Sequence, residues 1–388
     1  MDTSSSKWFV IVVFLAVLTG PPIVQAIVET RRGDRPAVLE VFSRPPTPSN
    51  LRAYEKSLQD ASVTARSLRP LIQAAQFFLL RDAGEKAIAG RGGWLFYEPG
   101  VGFITQRRRP GDSTVEGALA AVKAFHEALD ARGIRLIVMP APNKESVYPD
   151  RLSARAPAPG GQPISAETRA FLAGCRAAGI EVVDLFAIDA EARRRADTPL
   201  YLEQDSHWTP EGIDIAARAV AARILDRGWL APVASRHDSR PTPIREHGDL
   251  VRMIRSPWIE EYLPPQAITA RQVVRRDDGA LFRDDRSPEV LVLGDSFLRI
   301  FERDSPGGAV FVAHLARITG RRVGSIISDG GASTLVRQGL FRRPQLLTQA
   351  RVVVWEFVER DLRLGAEGWQ VVPLPPMEAP SPTSRISE

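Results

Sequence analysis

The chain has 388 residues, with 51 Lys+Arg against 46 Asp+Glu for a formal charge of +5, and it is 44% hydrophobic and 25% charged. That composition excludes a wholly disordered chain, and the length suits one large α/β domain or two smaller ones. The positive excess is too dilute for a nucleic-acid binder, and a single cysteine, Cys175, excludes an intramolecular disulfide and any multi-cysteine metal site.

In chain order the first element is apolar. Lys7 precedes an unbroken run from Trp8 to Leu18, Gly20-Pro21-Pro22 breaks it, and Val24-Gln25-Ala26 has the form of a cleavage site. Residues 1–26 therefore read as a secretory signal peptide or as an uncleaved anchor, since Trp8 to Val28 is long enough for ~30 Å of hydrocarbon. Residues 27–50, rich in Arg, Pro and Ser, read as a tether. From about 51 to 89 the pattern is helical, with Leu71, Ala74, Ala75 and Phe78 at helix spacing.

A regular alternation follows. A helix over 115–131 stops at Gly133 before the apolar run Leu136–Met139, and Ser165 caps a helix to Ala178, with Gly179 as its stop, before Val182–Phe186. Thr209-Pro210 opens a helix whose stripe is Ile213, Ala216, Ala217, Val220, Ala221 and Ile224, closed by Gly228. Val290–Leu293 and Val352–Trp355 complete a set of short apolar runs. Such runs between helices predict one α/β domain over 51–365, with a mainly parallel sheet covered on both faces. The Pro-rich stretch 366–388 reads as a disordered tail.

Two segments carry candidate chemistry. In Leu293-Gly294-Asp295-Ser296-Phe297 a buried strand ends in glycine, and Ser296 follows just before a helix expected over FLRIF. That places a hydroxyl at the carboxyl edge of the sheet, among turn N–H groups able to hold an oxyanion. The same residues also form a plain turn with an N-cap. A serine at neutral pH needs a base, and Asp205-Ser206-His207-Trp208 supplies an aspartate and a histidine that share one side of an extended segment. His126 on a helix stripe, His237 and His247 in a polar loop region, and His314 on an amphipathic helix lack such a setting, and no histidine pair has metal-ligand spacing. The runs Arg107–Arg109 and Arg193–Arg195 read as solvated faces.

With Gly92–Tyr97, Pro142-Asn143-Lys144, Tyr148-Pro149, Gly248-Asp249-Leu250 and Trp355–Arg360 in the same order, the sequence resembles the AlgX/AlgJ family of SGNH-hydrolase-like polysaccharide O-acetyltransferases. The resemblance covers residues 50–362 and favours the AlgJ-like branch. It implies a permuted SGNH-like fold and a triad of Asp205, His207 and Ser296, with the acetyl group passing through Ser296 to an alginate-like exopolysaccharide. It further implies a periplasmic setting, at the inner membrane if the first segment anchors the chain, with a membrane-bound O-acyltransferase supplying acetyl groups. No cofactor, metal or nucleic acid is expected. The Gly and Asn oxyanion blocks of SGNH hydrolases have no clear equivalent here; Asn143 is a conceivable donor or a simple turn residue. An acetylesterase with the same triad, or a non-catalytic polysaccharide-binding subunit, stands as the alternative.

Overall fold

The computed structural model describes residues 3–43, 45–106, 115–156, 163–195, 198–302, 306–329, 331–364 and 368–376. They fall into two compact units, Met1–Gly84 with Arg255–Tyr262, and Glu85–Ile254 with Leu263–Glu388. The boundary expected at residue 51 lies inside the first unit.

The first unit is helical. Its leading helix, Thr3–Arg32, runs through Pro21 and Pro22, where the sequence suggested a break. Each proline deletes one backbone donor, but apolar helix-forming sequence on both sides holds the course, as in membrane helices. Lys7–Arg32 is long and apolar enough to cross a membrane, with a mean hydropathy of 2.3. The stretch expected as a tether is also largely helical: a 3₁₀ segment covers Ala37–Phe42, and Thr47 caps the helix Pro48–Ala61. Ser62 then accepts from the Ala65 N–H at 3.1 Å and starts the next helix, Val63–Ala75.

The second unit carries the sheets. Short strands β1 (Ala87–Ala89) and β2 (Leu95–Tyr97) pair antiparallel. The strands β3 (Arg135–Ala141), β4 (Glu181–Val182), β5 (His237–Glu246), β6 (Gln266–Arg275), β7 (Val290–Gly294), β8 (Val323–Ile327) and β9 (Val352–Val358) follow. A five-stranded sheet has the order β4-β3-β9-β7-β8, and every pairing in it is parallel. β7 and β9 are buried along their whole length, which is why they read as unbroken apolar runs.

Helices cover both faces of this sheet. Ile137, Val292 and Val354 pack on one side with the Ile213–Ile224 stripe of the helix Pro210–Asp226. Val138, Leu293 and Trp355 pack on the other with Val122 and Phe125 of the helix Val115–Asp130 and Phe171 of the helix Ala166–Ala177. Each large apolar side chain so buried contributes about 1.5–3 kcal/mol. Cys175 lies in this second layer, fully buried, and burial pushes its thiol up to about 12, so it is an inert core group.

Several local expectations shift. β4 is only two residues long, because Asp184 accepts from the Ala187 N–H at 3.4 Å and turns the chain into the helix Leu185–Arg195. The region around His237 is not a loop: β5 and β6 form a ten-residue antiparallel ribbon from His237↔Arg275 to Glu246↔Gln266. FLRIF makes one 3₁₀ turn, Ser296–Leu298, and Phe301 then adopts a left-handed φ of 69°, which stops a helix. In the expected tail, residues 368–376 are held to the body. Trp369 is buried against Trp355 and Phe357, at 5.7 and 5.0 Å between ring centres, and donates to the Asp361 carbonyl at 2.7 Å. Residues 366–367 and 377–388, and the run Arg107–Arg109, lie outside the described residues. Of the other arginine run, Arg193 is bound to both Asp150 oxygens at 3.0 and 3.2 Å and lies over Tyr148, while Arg194 and Arg195 pair with Glu191 on the surface.

Candidate active site

Three strands of the central sheet deliver loops to its carboxyl edge: Asp295-Ser296 after β7, Asn143-Lys144 after β3 and Glu359-Arg360 after β9. The turn after β7 needs glycine, since a Cβ on Gly294 would meet Leu298 Cδ1 at 2.2 Å and Glu356 Oε2 at 2.4 Å. Asp295 caps the turn by accepting from the Phe297 N–H at 2.9 Å, and its own N–H donates to Glu356 Oε2 at 3.0 Å. Ser296 is thus fixed one residue beyond a pinned backbone, and it is half-buried.

The Asp205–His207 segment is a loop tip rather than an extended strand. The Leu202 N–H donates to the His207 carbonyl at 3.0 Å, and the Thr209 N–H to the Leu200 carbonyl at 2.8 Å. Thr209 then caps the helix at Pro210 through the Gly212 N–H at 3.2 Å. Phe297 packs on the His207 ring at 4.9 Å and on Trp208 at 5.3 Å, so the nucleophile turn and the histidine loop share one aromatic contact.

These loops bring the three sequence candidates together. The Ser296 hydroxyl lies 2.8 Å from His207 Nε2, and His207 Nδ1 lies 2.7 Å from Asp205 Oδ1. Asp205 Oδ1 also accepts the His207 backbone N–H at 2.9 Å, so one oxygen holds both ring and backbone. Burial alone would raise the Asp205 pKa, but the hydrogen bond and charge of His207 and two backbone N–H groups hold it well below the usual carboxylate range. Burial would lower the His207 pKa, but the hydrogen bond to Asp205 and the charges of Asp205, Asp249 and Asp295 raise it above 6.5. The geometry allows proton transfer from Ser296 to His207, with Asp205 stabilising the resulting imidazolium.

Sequence reasoning missed two residues beside this chain of contacts. Asp249 donates its N–H to Asp205 Oδ2 at 2.7 Å, while its carboxylate accepts from the Ser206 N–H at 2.8 Å and the Ser206 hydroxyl at 2.6 Å. A Cβ on Gly248 would lie 2.0 Å from the Gln204 carbonyl oxygen, so only glycine lets these loops meet. Gly248-Asp249 was visible as a motif, but nothing local ties it to Asp205. Lys144 is 2% exposed and donates to the carbonyls of Leu95, Glu203 and Asp205 at 2.6, 2.8 and 2.9 Å. Burial lowers its pKa to about 7, against the charges of Asp205 and Asp249. Its signal in the sequence was rarity, as one of five lysines in a chain whose cations are otherwise arginine.

Asn143 does not stand next to the nucleophile. Its strand, β3, is separated from β7 by β9, about 10 Å at the usual strand spacing. Its N–H donates to Glu359 at 3.1 Å, and its buried amide has no hydrogen-bond partner among the described residues. Asp205, His207 and Asp249 place ligand-type atoms within 4.8 Å of one another, a spacing open to a cation. All four carboxylate oxygens there already accept hydrogen bonds from neighbouring N–H or O–H groups.

An open parallel sheet with serine, histidine and aspartate joined at its carboxyl edge is the layout of an α/β protein built for serine-based acyl chemistry. Residues 87–359 match the family described as SGNH hydrolase-like domain, acetyltransferase AlgX, and the chain belongs to that family of acetyltransferases. It is 28% identical over 302 residues to the probable alginate O-acetylase AlgJ of Pseudomonas fluorescens, covering 76% of this chain and 73% of that one. For the namesake in Pseudomonas aeruginosa the identity is 26% over 309 residues, covering 76% and 75%. The alginate biosynthesis protein AlgX of P. aeruginosa matches less extensively, at 21% over 61% of this chain and 49% of that one. The O-acetyltransferase domain of Pseudomonas putida AlgJ shares the fold, with a TM-score of 0.57 at 23% identity over 72% of this chain and 93% of that domain.

Proposed function

We propose that this acetyltransferase acts outside the cytoplasm and moves acetyl groups through Ser296 onto hydroxyls of an acidic, alginate-like exopolysaccharide. The observation that carries the reading is the unbroken contact Ser296–His207–Asp205, at 2.8 and 2.7 Å. His207 Nε2 takes the Ser296 proton as Oγ bonds to the acetyl carbonyl carbon, and the Ser296 N–H, for which no hydrogen bond is seen among the described residues, is left to donate to the developing oxyanion. The donor's leaving group departs with the proton from His207. A sugar hydroxyl then loses its proton to His207 and attacks the acetyl-serine, and Ser296 regains a proton as the sugar ester leaves. The relatives' names supply the polymer class, and the apolar helix at residues 7–32 suits export or anchoring at the inner membrane. A membrane-bound O-acyltransferase is the acetyl source that fits this placement.

Purified protein is incubated with 4-nitrophenyl acetate and oligouronates, and acetylated sugar and free acetate are both measured. Acetylated oligouronate from the parent and none from Ser296→Ala supports the reading. Acetate release unaffected by acceptor makes the protein an esterase, and equal sugar acetylation by Ser296→Ala overturns the nucleophile.

A further inference from the structure

Ser206, between Asp205 and His207, has one hydroxyl proton and two neighbours for it. Asp249 Oδ2 lies 2.6 Å from its oxygen and His207 Nδ1 lies 3.3 Å away. A carboxylate can only accept, so the proton points to Asp249, and Ser206 presents a lone pair to the imidazole. Only an Nδ1 that carries a proton can meet that lone pair favourably. Asp205 Oδ1, at 2.7 Å, makes the same demand from another direction.

We propose that Asp249 is a positioning residue that fixes the tautomer of His207 through the Ser206 hydroxyl. With Nδ1 protonated, Nε2 keeps its lone pair toward Ser296, the only neutral form able to act as base. The inference rests on the triad reading above. Asp249 is placed for this by the close approach at Gly248, and its backbone N–H, donating to Asp205 Oδ2 at 2.7 Å, ties its loop to the aspartate of the triad. Its carboxylate is also 3.8 Å from His207 Nδ1, so it adds charge without displacing Asp205. The ionisable groups around the ring are Asp205, Asp249 and Asp295, and Lys144 stands behind Asp205 on its carbonyl.

Asp249→Asn conserves shape but reverses the contact. An amide facing Ser206 donates to its oxygen and turns the hydroxyl proton toward Nδ1, favouring the wrong tautomer. Because Asp205 still opposes that tautomer, Asp249→Asn is expected to lower acetyl-ester turnover about 10- to 100-fold, less than loss of a whole acid–base group. Ser206→Ala removes only a supporting lone pair and costs about 2- to 5-fold. In the double variant no misdirected proton remains, so activity rises back toward that of Ser206→Ala. A purely structural clamp predicts the opposite: the double variant at least as poor as Asp249→Asn.

The experiment measures turnover of 4-nitrophenyl acetate for the parent and these three variants, with long-range ¹H–¹⁵N spectra of the histidine ring on the same full-length proteins. The expected result is a mainly Nδ1–H ring in the parent, a raised Nε2–H population in Asp249→Asn, and rescue in the double variant. An unchanged ring spectrum, or no rescue, overturns the role of Asp249. If Asp249→Asn does not fold, Ser206→Thr against Ser206→Val asks the same question: threonine must keep the parent's Nδ1–H population and valine lower it, and equal spectra overturn the proposal. Full activity of Ser296→Ala would sink the triad reading instead, and the ring spectra would still report on Asp249.

Discussion

Replacing Gly248 with alanine perturbs the site without touching a reacting atom. The new Cβ would sit 2.0 Å from the Gln204 carbonyl oxygen and 2.6 Å from the Asp205 nitrogen, where ordinary contact begins at 3.4 Å. Both neighbours are backbone, so the loops must part by about 1.4 Å. The hydrogen bonds crossing that gap are Asp249 N–H to Asp205 at 2.7 Å and Ser206 to Asp249 at 2.8 and 2.6 Å. Overpacking of this kind costs about 1–3 kcal/mol, and a catalytic group displaced by ~1 Å loses about 100-fold in rate. Thermal unfolding and 4-nitrophenyl acetate turnover read the two effects: Gly248→Ala should melt several degrees lower and turn over about 100-fold more slowly. Turnover within about threefold of the parent at an unchanged melting temperature would refute the close approach of these loops.

Three further outcomes follow from the same contacts. His207 must be neutral to take a proton, and because Asp205 and its neighbours raise its pKa above 6.5, activity falls as pH drops through a midpoint above that value; an acid limb centred below about 6 contradicts this. Burial pushes the Glu145 carboxyl up to about 8, so the folded chain keeps a proton that the unfolded chain loses near 4.5, and stability falls as pH rises between these values. Chemical denaturation at about pH 5 and 8 should show the parent losing on the order of 2–4 kcal/mol relative to Glu145→Gln, and parallel profiles would argue against a buried proton. Trp369→Ala should destabilise the fold by about 3–5 kcal/mol in urea, and an effect below about 1 kcal/mol would detach residues 368–376 from the core.

What the sequence made legible tracks how local each cause was. β7 and β9 were readable because strands buried on both faces leave unbroken apolar runs. β8 was missed because Gly324 and Ser325 interrupt its run, and β5 because its Pro241 and Pro243 and its polar side chains disguise a ribbon with little buried surface. Asp205 and His207 stand two apart, so their partnership could be proposed from spacing. Its form could not: Asp205 reaches back to the His207 N–H and makes a turn where an extended segment was expected. Ser296 joins from 89 residues away: its need for a base suggested the pairing, and the resemblance named it, but no spacing along the chain links the two segments. Asp249 and Lys144 depend on tertiary approach alone, and the burial of an amine among three carbonyls leaves no periodic trace.

Whether Ser296 carries the acetyl group is read by intact-mass spectrometry with peptide mapping after brief exposure to 4-nitrophenyl acetate. One acetyl group on the peptide containing Ser296, absent from Ser296→Ala and released when oligouronate is added, is the result expected. An acetyl group on another residue, or no adduct on folded protein that still consumes the ester, would contradict the claim that Ser296 carries the transferred group.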